Sequence, residues 1–272
     1  MKRKGIVKKV LLIVLIVVLV GVLVDSIVTK IQASKIPHRY ASVKEGIEIM
    51  LSNTEYYNSF NQNNIDFRLQ KSGATLDELL DESKKSVQKF NIFEKSYIDH
   101  CFAKMHKIIK KNGYALPEVD EIILIKADMT IEAGNSGYTH GTQVYLNGTI
   151  VSMYTFLHVI SGDYFETLLW HEMFHCLTRC NPEFRAKMYS LINFTVVDSD
   201  YEFPPCVKER YLCNPDVEHH DSYATFNIDG KEIDCFPVWI TTMDYAEAQS
   251  NFSRCAEVVL VPTDGTDIYY TP

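Results

Sequence analysis

Residues 171–175 read His-Glu-Met-Phe-His. On a helix, His171 and His175 stand at i and i+4, one turn apart on one face. That spacing lets two imidazole nitrogens reach one tetrahedral zinc at about 2.0–2.1 Å. Glu172 lies about 100° further round, beside the coordination position that a catalytic zinc keeps open. There it is placed to act as general base, taking a proton from a metal-activated water and passing it to a leaving group. A chain of this length supplies the bare pattern by chance about 0.02 times.

The surroundings strengthen the motif. Neither Pro nor Gly interrupts residues 163–180, Asp163 is a candidate N-cap, and Glu166 stands at the capping-box position. Phe165, Leu169, Trp170, Met173, Phe174, Cys176 and Leu177 fill nearly all of the helix outside the arc of His171, Glu172 and His175. A helix apolar nearly all round is buried. Two imidazoles and a carboxylate on it need partners, since burying them unpaired costs several kcal/mol. One metal ion satisfies all three. The alternative is a pair of hydrogen-bonded core histidines with Glu172 in a salt bridge.

A catalytic zinc takes three protein ligands. Thr178 and Asn181 stand where an extended HExxHxxGxxH site needs Gly and His, so a downstream carboxylate is expected instead. Asp198, Asp200 and Glu202 lie 23, 25 and 27 positions past His175, and Glu202 is the preferred third ligand. The run Asp216-Val217-Glu218-His219-His220-Asp221 is also rich in ligand types and leaves Glu218, His219 and His220 open as candidates, though such mixed runs are more often solvated loops. Tyr201 and Tyr223 are unplaced candidates for stabilising a tetrahedral intermediate. Cys176 and Cys180 point away from the histidines and read as packing.

The motifs Tyr138-Thr139-His140-Gly141, residues 171–179, Asn181-Pro182-Glu183-Phe184-Arg185, Glu202-Phe203-Pro204, Asn214-Pro215-Asp216 and Asp229-Gly230-Lys231 with Phe236-Pro237 occur in that order. Together they resemble a family of exported bacterial HExxH proteins, zinc metallopeptidases of the zincin, gluzincin-like type. The resemblance spans roughly residues 120–262 and implies a zincin-like catalytic domain, but no substrate. Family members typically carry Arg where this chain has His140, and the family's Glu-hydrophobic-Pro element is a further reason to prefer Glu202.

The elements that must position these residues read as α+β. Helices are predicted at about 42–60, from a capping box at Thr75 and Glu78, and at about 92–111 with Gly113 as its stop. Residues 41–115 thus form a helical N-terminal subdomain, followed by a catalytic domain over 116–272 with a mixed sheet. Residues 121–127 and 142–146 are β-type runs joined by a turn at 134–137, and the strand at 142–146 is expected to line the cleft and pair with an extended peptide. After the HExxH helix comes one over 182–193, opened by Asn181-Pro182, then short strands such as 222–228 and 256–261.

At the N-terminus, Lys2, Arg3, Lys4, Lys8 and Lys9 form a cytoplasmic basic tail over 1–9. An unbroken apolar run over 10–24 follows, extendable to 28 by Ile27 and Val28, and 29–40 reads as a stalk. Fifteen helical residues span about 22 Å, short of the roughly 30 Å hydrocarbon core. A single-pass anchor with the remainder outside the membrane is the preferred reading, and a cleaved signal is the alternative. The whole chain carries −8; setting aside the five basic residues leaves 22 basic against 35 acidic, or −13. So acidic an ectodomain argues against a nucleic-acid partner. Seven cysteines leave at least one unpaired in any disulfide scheme, with Cys206 and Cys213 closing the shortest loop, and no CxxC supports a thiolate zinc site.

The sequence therefore predicts a zinc-dependent hydrolase acting on peptide or protein outside the membrane, with His171, His175 and Glu202 on zinc and Glu172 as base. Its rivals are a zinc hydrolase of a non-peptide envelope amide or ester, and a non-catalytic binding protein with a vestigial site.

Overall fold

A computed structural model describes residues 2–132, 134–157 and 162–272, with the backbone alone for residues 2–10. The expected cytoplasmic tail begins outside the described residues at Met1 and is otherwise part of a helix, α1 (Lys2–Ala33). Within it, Leu11–Ala33 is 23 residues long and apolar enough to cross a membrane. That is about 34 Å of helix, against the 22 Å of the unbroken apolar run. The expected stalk is not a separate segment. Helix α1 continues to Ala33, which is buried in the core, and β1 (His38–Tyr40) joins the first sheet.

Six further elements precede the sheet's central strand: α2 (Val43–Ser52), α3 (Thr54–Asn58), α4 (Gln62–Leu69), α5 (Leu76–Ser86), β2 (Val87–Gln88) and α6 (Ile92–Asn112). Local signals set several of these boundaries. Thr75 and Glu78 form both bonds of the capping box on α5, and Gly113 caps α6 in the left-handed conformation at φ 68°. The predicted single helix at 42–60 is broken at Asn53.

The first sheet runs β1-β3-β5-β4, with β2 also paired to β3 (Ile122–Ala127). Strands β1, β3 and β5 (Gln143–Asn147) are parallel, and β4 (Gly137–His140) is an antiparallel edge. β5 is therefore interior, bonded on both sides, with Val144 buried. Of β5 only Gln143 borders a hollow, beside His140 of β4, the edge strand that falls between the two predicted β-runs.

Alternation along β3 explains the layering. Ile122 and Leu124 pack against α6, α7 (Gly148–Leu157) and α8 (Tyr164–Cys180), while Ile125 and Ala127 pack against α2–α5. A strand covered on both faces is an almost continuous apolar run. Its one charge, Lys126, is neutralised by Glu94 of α6 at 2.7 Å. Since β1 and β2 both pair with β3, the 41–115 helical layer and the start of the expected catalytic domain share one sheet.

After α9 (Pro182–Ser190), a second sheet runs β6-β7-β8-β9 (Phe194–Val196, Ser222–Ile228, Lys231–Thr241, Ala256–Pro262), antiparallel throughout, around Phe236, Val238, Ile240, Val259 and Val261. α9 ends three residues before the predicted limit, where Asn193 turns left-handed at φ 62°.

Candidate metal centre

Helix α8 buries Phe165, Leu169, Met173, Cys176 and Leu177 against the first sheet and α6. That burial fixes the direction of the opposite stripe, His171, His175 and Arg179, at i, i+4 and i+8. The capping box expected from Asp163 and Glu166 is not made; Glu166 instead binds Lys104 of α6 at 2.7 Å.

The two Nε2 atoms of His171 and His175 lie 3.0 Å apart. Imidazoles sharing a tetrahedral zinc at the usual bond length stand about 3.3 Å apart, so the pair is already spaced for one ion. A carboxylate completes the group: ligand atoms of His171, His175 and Asp216 all lie within 4.8 Å of one another. Burial, with Arg179 and His171 adding to it, pushes the His175 imidazole down to about 3, so it stays in the neutral form that binds metal.

Glu202, the expected third ligand, is not part of this cluster. Its side chain is 85% exposed and paired with Lys208 at 2.6 Å, on the wall of a neighbouring hollow. Asp200 binds the ring of His219 and the backbone N–H of His220. Asp198 is exposed at the rim of the histidine cleft. Glu218 faces Arg179 and His140, and His220 binds the Tyr211 hydroxyl. The carboxylate that reaches the histidines, Asp216, comes instead from the mixed-charge run 216–221.

That loop is anchored along its whole length. Asn64 and Arg68 of α4 hold the backbone of Tyr211 and Cys213 just before it. Asn214 caps the turn by accepting from the Asp216 N–H, and Thr139 of β4 donates its N–H to Asp216 Oδ1 at 3.0 Å. Gly141 donates its N–H to Glu218, and Arg185 of α9 grips Asp221 with two parallel hydrogen bonds. Burial raises the Asp216 carboxyl, against the opposing pull of Thr139 and Arg179.

Glu172 is 1% exposed, and its Oε2 has no hydrogen-bond partner among the described residues. Burial first, and the Asp216 charge next, push its carboxyl up to about 8. It lies beneath β4 at Gly137: a Cβ there would sit 3.0 Å from Glu172 Oε1 and 3.1 Å from the Tyr145 carbonyl. The glycine is what lets the carboxylate come up under the strand.

The histidines and Asp216 open onto a cleft of about 740 Å³. A second hollow of about 660 Å³ lies beyond Gly141, Val217, Glu218 and His219, which border both. His140 lines the second one, against Tyr56 and Tyr138, its buried Nε2 without a partner among the described residues. Tyr201 lines that hollow too, its hydroxyl bound to the Pro262 carbonyl, and Tyr223 packs on Phe236 in the second sheet, so neither tyrosine lines the histidine cleft. All seven cysteines are free thiols; Cys206 and Cys213 are not joined, and Cys213 Sγ lies 3.5 Å from Ser59 Oγ.

No family model, no curated protein and no solved structure matches this chain.

Proposed function

We propose that this protein is a zinc-dependent hydrolase, acting on peptides, with His171, His175 and Asp216 as the metal-binding residues and Glu172 as general base. The observation that carries the reading is the convergence of two imidazoles and one carboxylate within 4.8 Å, next to a buried glutamate whose Oε2 has no partner among the described residues. The donor set fits the metal: two neutral nitrogens and one oxygen leave the fourth position of a zinc site open. Zinc held there supplies Lewis-acid polarisation of a carbonyl and lowers the pKa of water. Glu172 takes the proton from the attacking water and returns it to the leaving group. A cation beside it favours its ionised form, offsetting the burial that holds its carboxyl high in the metal-free chain. Helix α1 is proposed to anchor the protein, with the basic residues inside and the metal centre outside the membrane.

Zinc per chain tests this in the full-length protein purified in detergent. About one zinc is expected in the parent and none in His171→Ala. Peptide and non-peptide amides are then screened with Glu172→Gln as control. A folded parent that takes up no zinc after incubation overturns the proposal. Turnover confined to non-peptide amides would keep the chemistry and reassign the substrate.

A further inference from the structure

We infer that Arg179 is a positioning residue that delivers Asp216 to the metal, by clamping the 214–218 loop and strand β4 onto the helix that carries both histidines; the inference rests on the reading of the metal centre given above. One guanidinium reaches three places. Its Nη1 donates to the Thr139 hydroxyl on β4, its Nη2 to the Asp216 carbonyl at 2.6 Å, and its Nε pairs with Glu218 at 3.1 Å. Arg179 stands one turn beyond His175 on the same stripe, about 6 Å further along the axis. The spacing between the histidines and the clamp is thus fixed by α8 itself. Asp216 lies in irregular chain, where each ordered residue costs about 1–2 kcal/mol of backbone entropy, so its place beside the histidines has to be imposed from outside. The Thr139 N–H on Oδ1 then fixes the direction of the carboxylate. The guanidinium sends its donors from three separate nitrogens in fixed directions, a spread that a lysine ammonium, with three donors on one nitrogen, does not reproduce.

Charge alone predicts the opposite of positioning. A guanidinium next to a dication site repels the ion, so removing it would tighten binding if Arg179 did nothing else. The sign of the effect therefore decides between the two.

The test is the zinc dissociation constant of the full-length protein in detergent, by competition with a chromogenic chelator, for the parent, Arg179→Ala, Arg179→Lys, Asp216→Ala and the Arg179→Ala/Asp216→Ala double variant. Metal-free melting of the same samples checks folding. Arg179→Ala is expected to weaken zinc about 10–100-fold, as loss of a residue that orients a ligand does. Arg179→Lys keeps the charge and loses the fork, and is expected to recover only a small part of that. In the Asp216→Ala background, Arg179→Ala is expected to weaken zinc no further and to show only the slight tightening that relief of charge repulsion brings. Zinc bound equally or more tightly by Arg179→Ala, with Asp216→Ala still impaired, overturns the positioning role alone. If Arg179→Ala does not fold, parental affinity in Arg179→Lys overturns it. Unchanged affinity in Asp216→Ala overturns the ligand assignment and the role of Arg179 with it.

Discussion

Two acidic stretches follow the HExxH helix, and they have similar compositions and opposite fates. Residues 198–202 carry Asp198, Asp200 and Glu202, and their charges face solvent or exposed partners: Glu202 meets Lys208, and Asp200 meets His219. Residues 216–221 carry Asp216, Glu218 and Asp221, and all three are bound to partly buried arginines or to the backbone N–H groups of Thr139 and Gly141. Exposed pairs of the first kind contribute about 0–1 kcal/mol, and their side chains adapt. Bonds of the second kind fix a carboxylate within a few tenths of an ångström, as a metal ligand requires. Ligand-type residues were present in both stretches; what separates them is the number of independent elements that grip the backbone.

The comparison is broken most directly by exchanging the fates of its two candidate ligands. Asp216→Ala is expected to weaken zinc binding at least 100-fold and to abolish hydrolysis, whereas Glu202→Ala leaves both within about twofold. Zinc titration and turnover on the same preparations measure this. A reversed ranking would restore Glu202 as the ligand and require the 198–202 stretch to move inward on metal binding.

A smaller effect is expected at Gly137, whose missing side chain lets Glu172 lie under the tethered strand. A methyl at 3.0 Å from Oε1 and 3.1 Å from a backbone carbonyl must displace one of them, and overpacking of this kind costs about 1–3 kcal/mol. Gly137→Ala is expected to keep zinc and lose about 10–100-fold in turnover through the displaced base. Thermal melting and turnover number with saturating zinc check both halves. Full turnover in a stably folded Gly137→Ala would show that Glu172 has room to relocate.

These particulars show what was legible in the chain. The HExxH helix was, because i,i+4 spacing and an apolar surround are local features, and so were α5 through its capping box and α6 through its glycine stop, each within a few residues of the boundary it sets. Strand β4 was missed because Gly137, Tyr138, Thr139 and His140 contain a glycine and show no apolar alternation; their burial comes from α8 on one side and α2–α5 on the other. Helix α4 was missed because its buried residues include Asn63, Asn64, Asp66 and Arg68, so apolar periodicity has nothing to report. Two of those side chains, Asn64 and Arg68, hold the start of the loop that carries Asp216. The carboxylate proposed as third ligand was therefore illegible: its place is set by arginines and asparagines far away in sequence, each of which reads alone as a solvated polar residue.

The smallest expected effect concerns adjacent groups on α8, and it separates them by pH. Burial lowers His175 from 6.5 to about 3, so in the metal-free chain it favours folding above 6.5 and loses that contribution as pH falls towards 3. Burial raises Glu172 from 4.5 to about 8, so its contribution is present below 4.5 and is lost as pH rises through 8. Of these two, only Glu172 still titrates between 6.5 and 8, and there the native chain holds a proton that the unfolded chain has released. Glu172→Gln removes that dependence. In chelator-treated protein the variant is expected to melt higher than the parent by a margin that grows from pH 5 to pH 8.5. The gain at the upper end is on the order of 1–2 kcal/mol once the cost of burying an amide is set against it. Zinc should shrink the margin, because a cation beside Glu172 stabilises its carboxylate in the parent and not the amide in the variant. Equal melting temperatures for parent and variant across this range would mean that water reaches Glu172 freely, and the pocket under Gly137 would then be open rather than sealed.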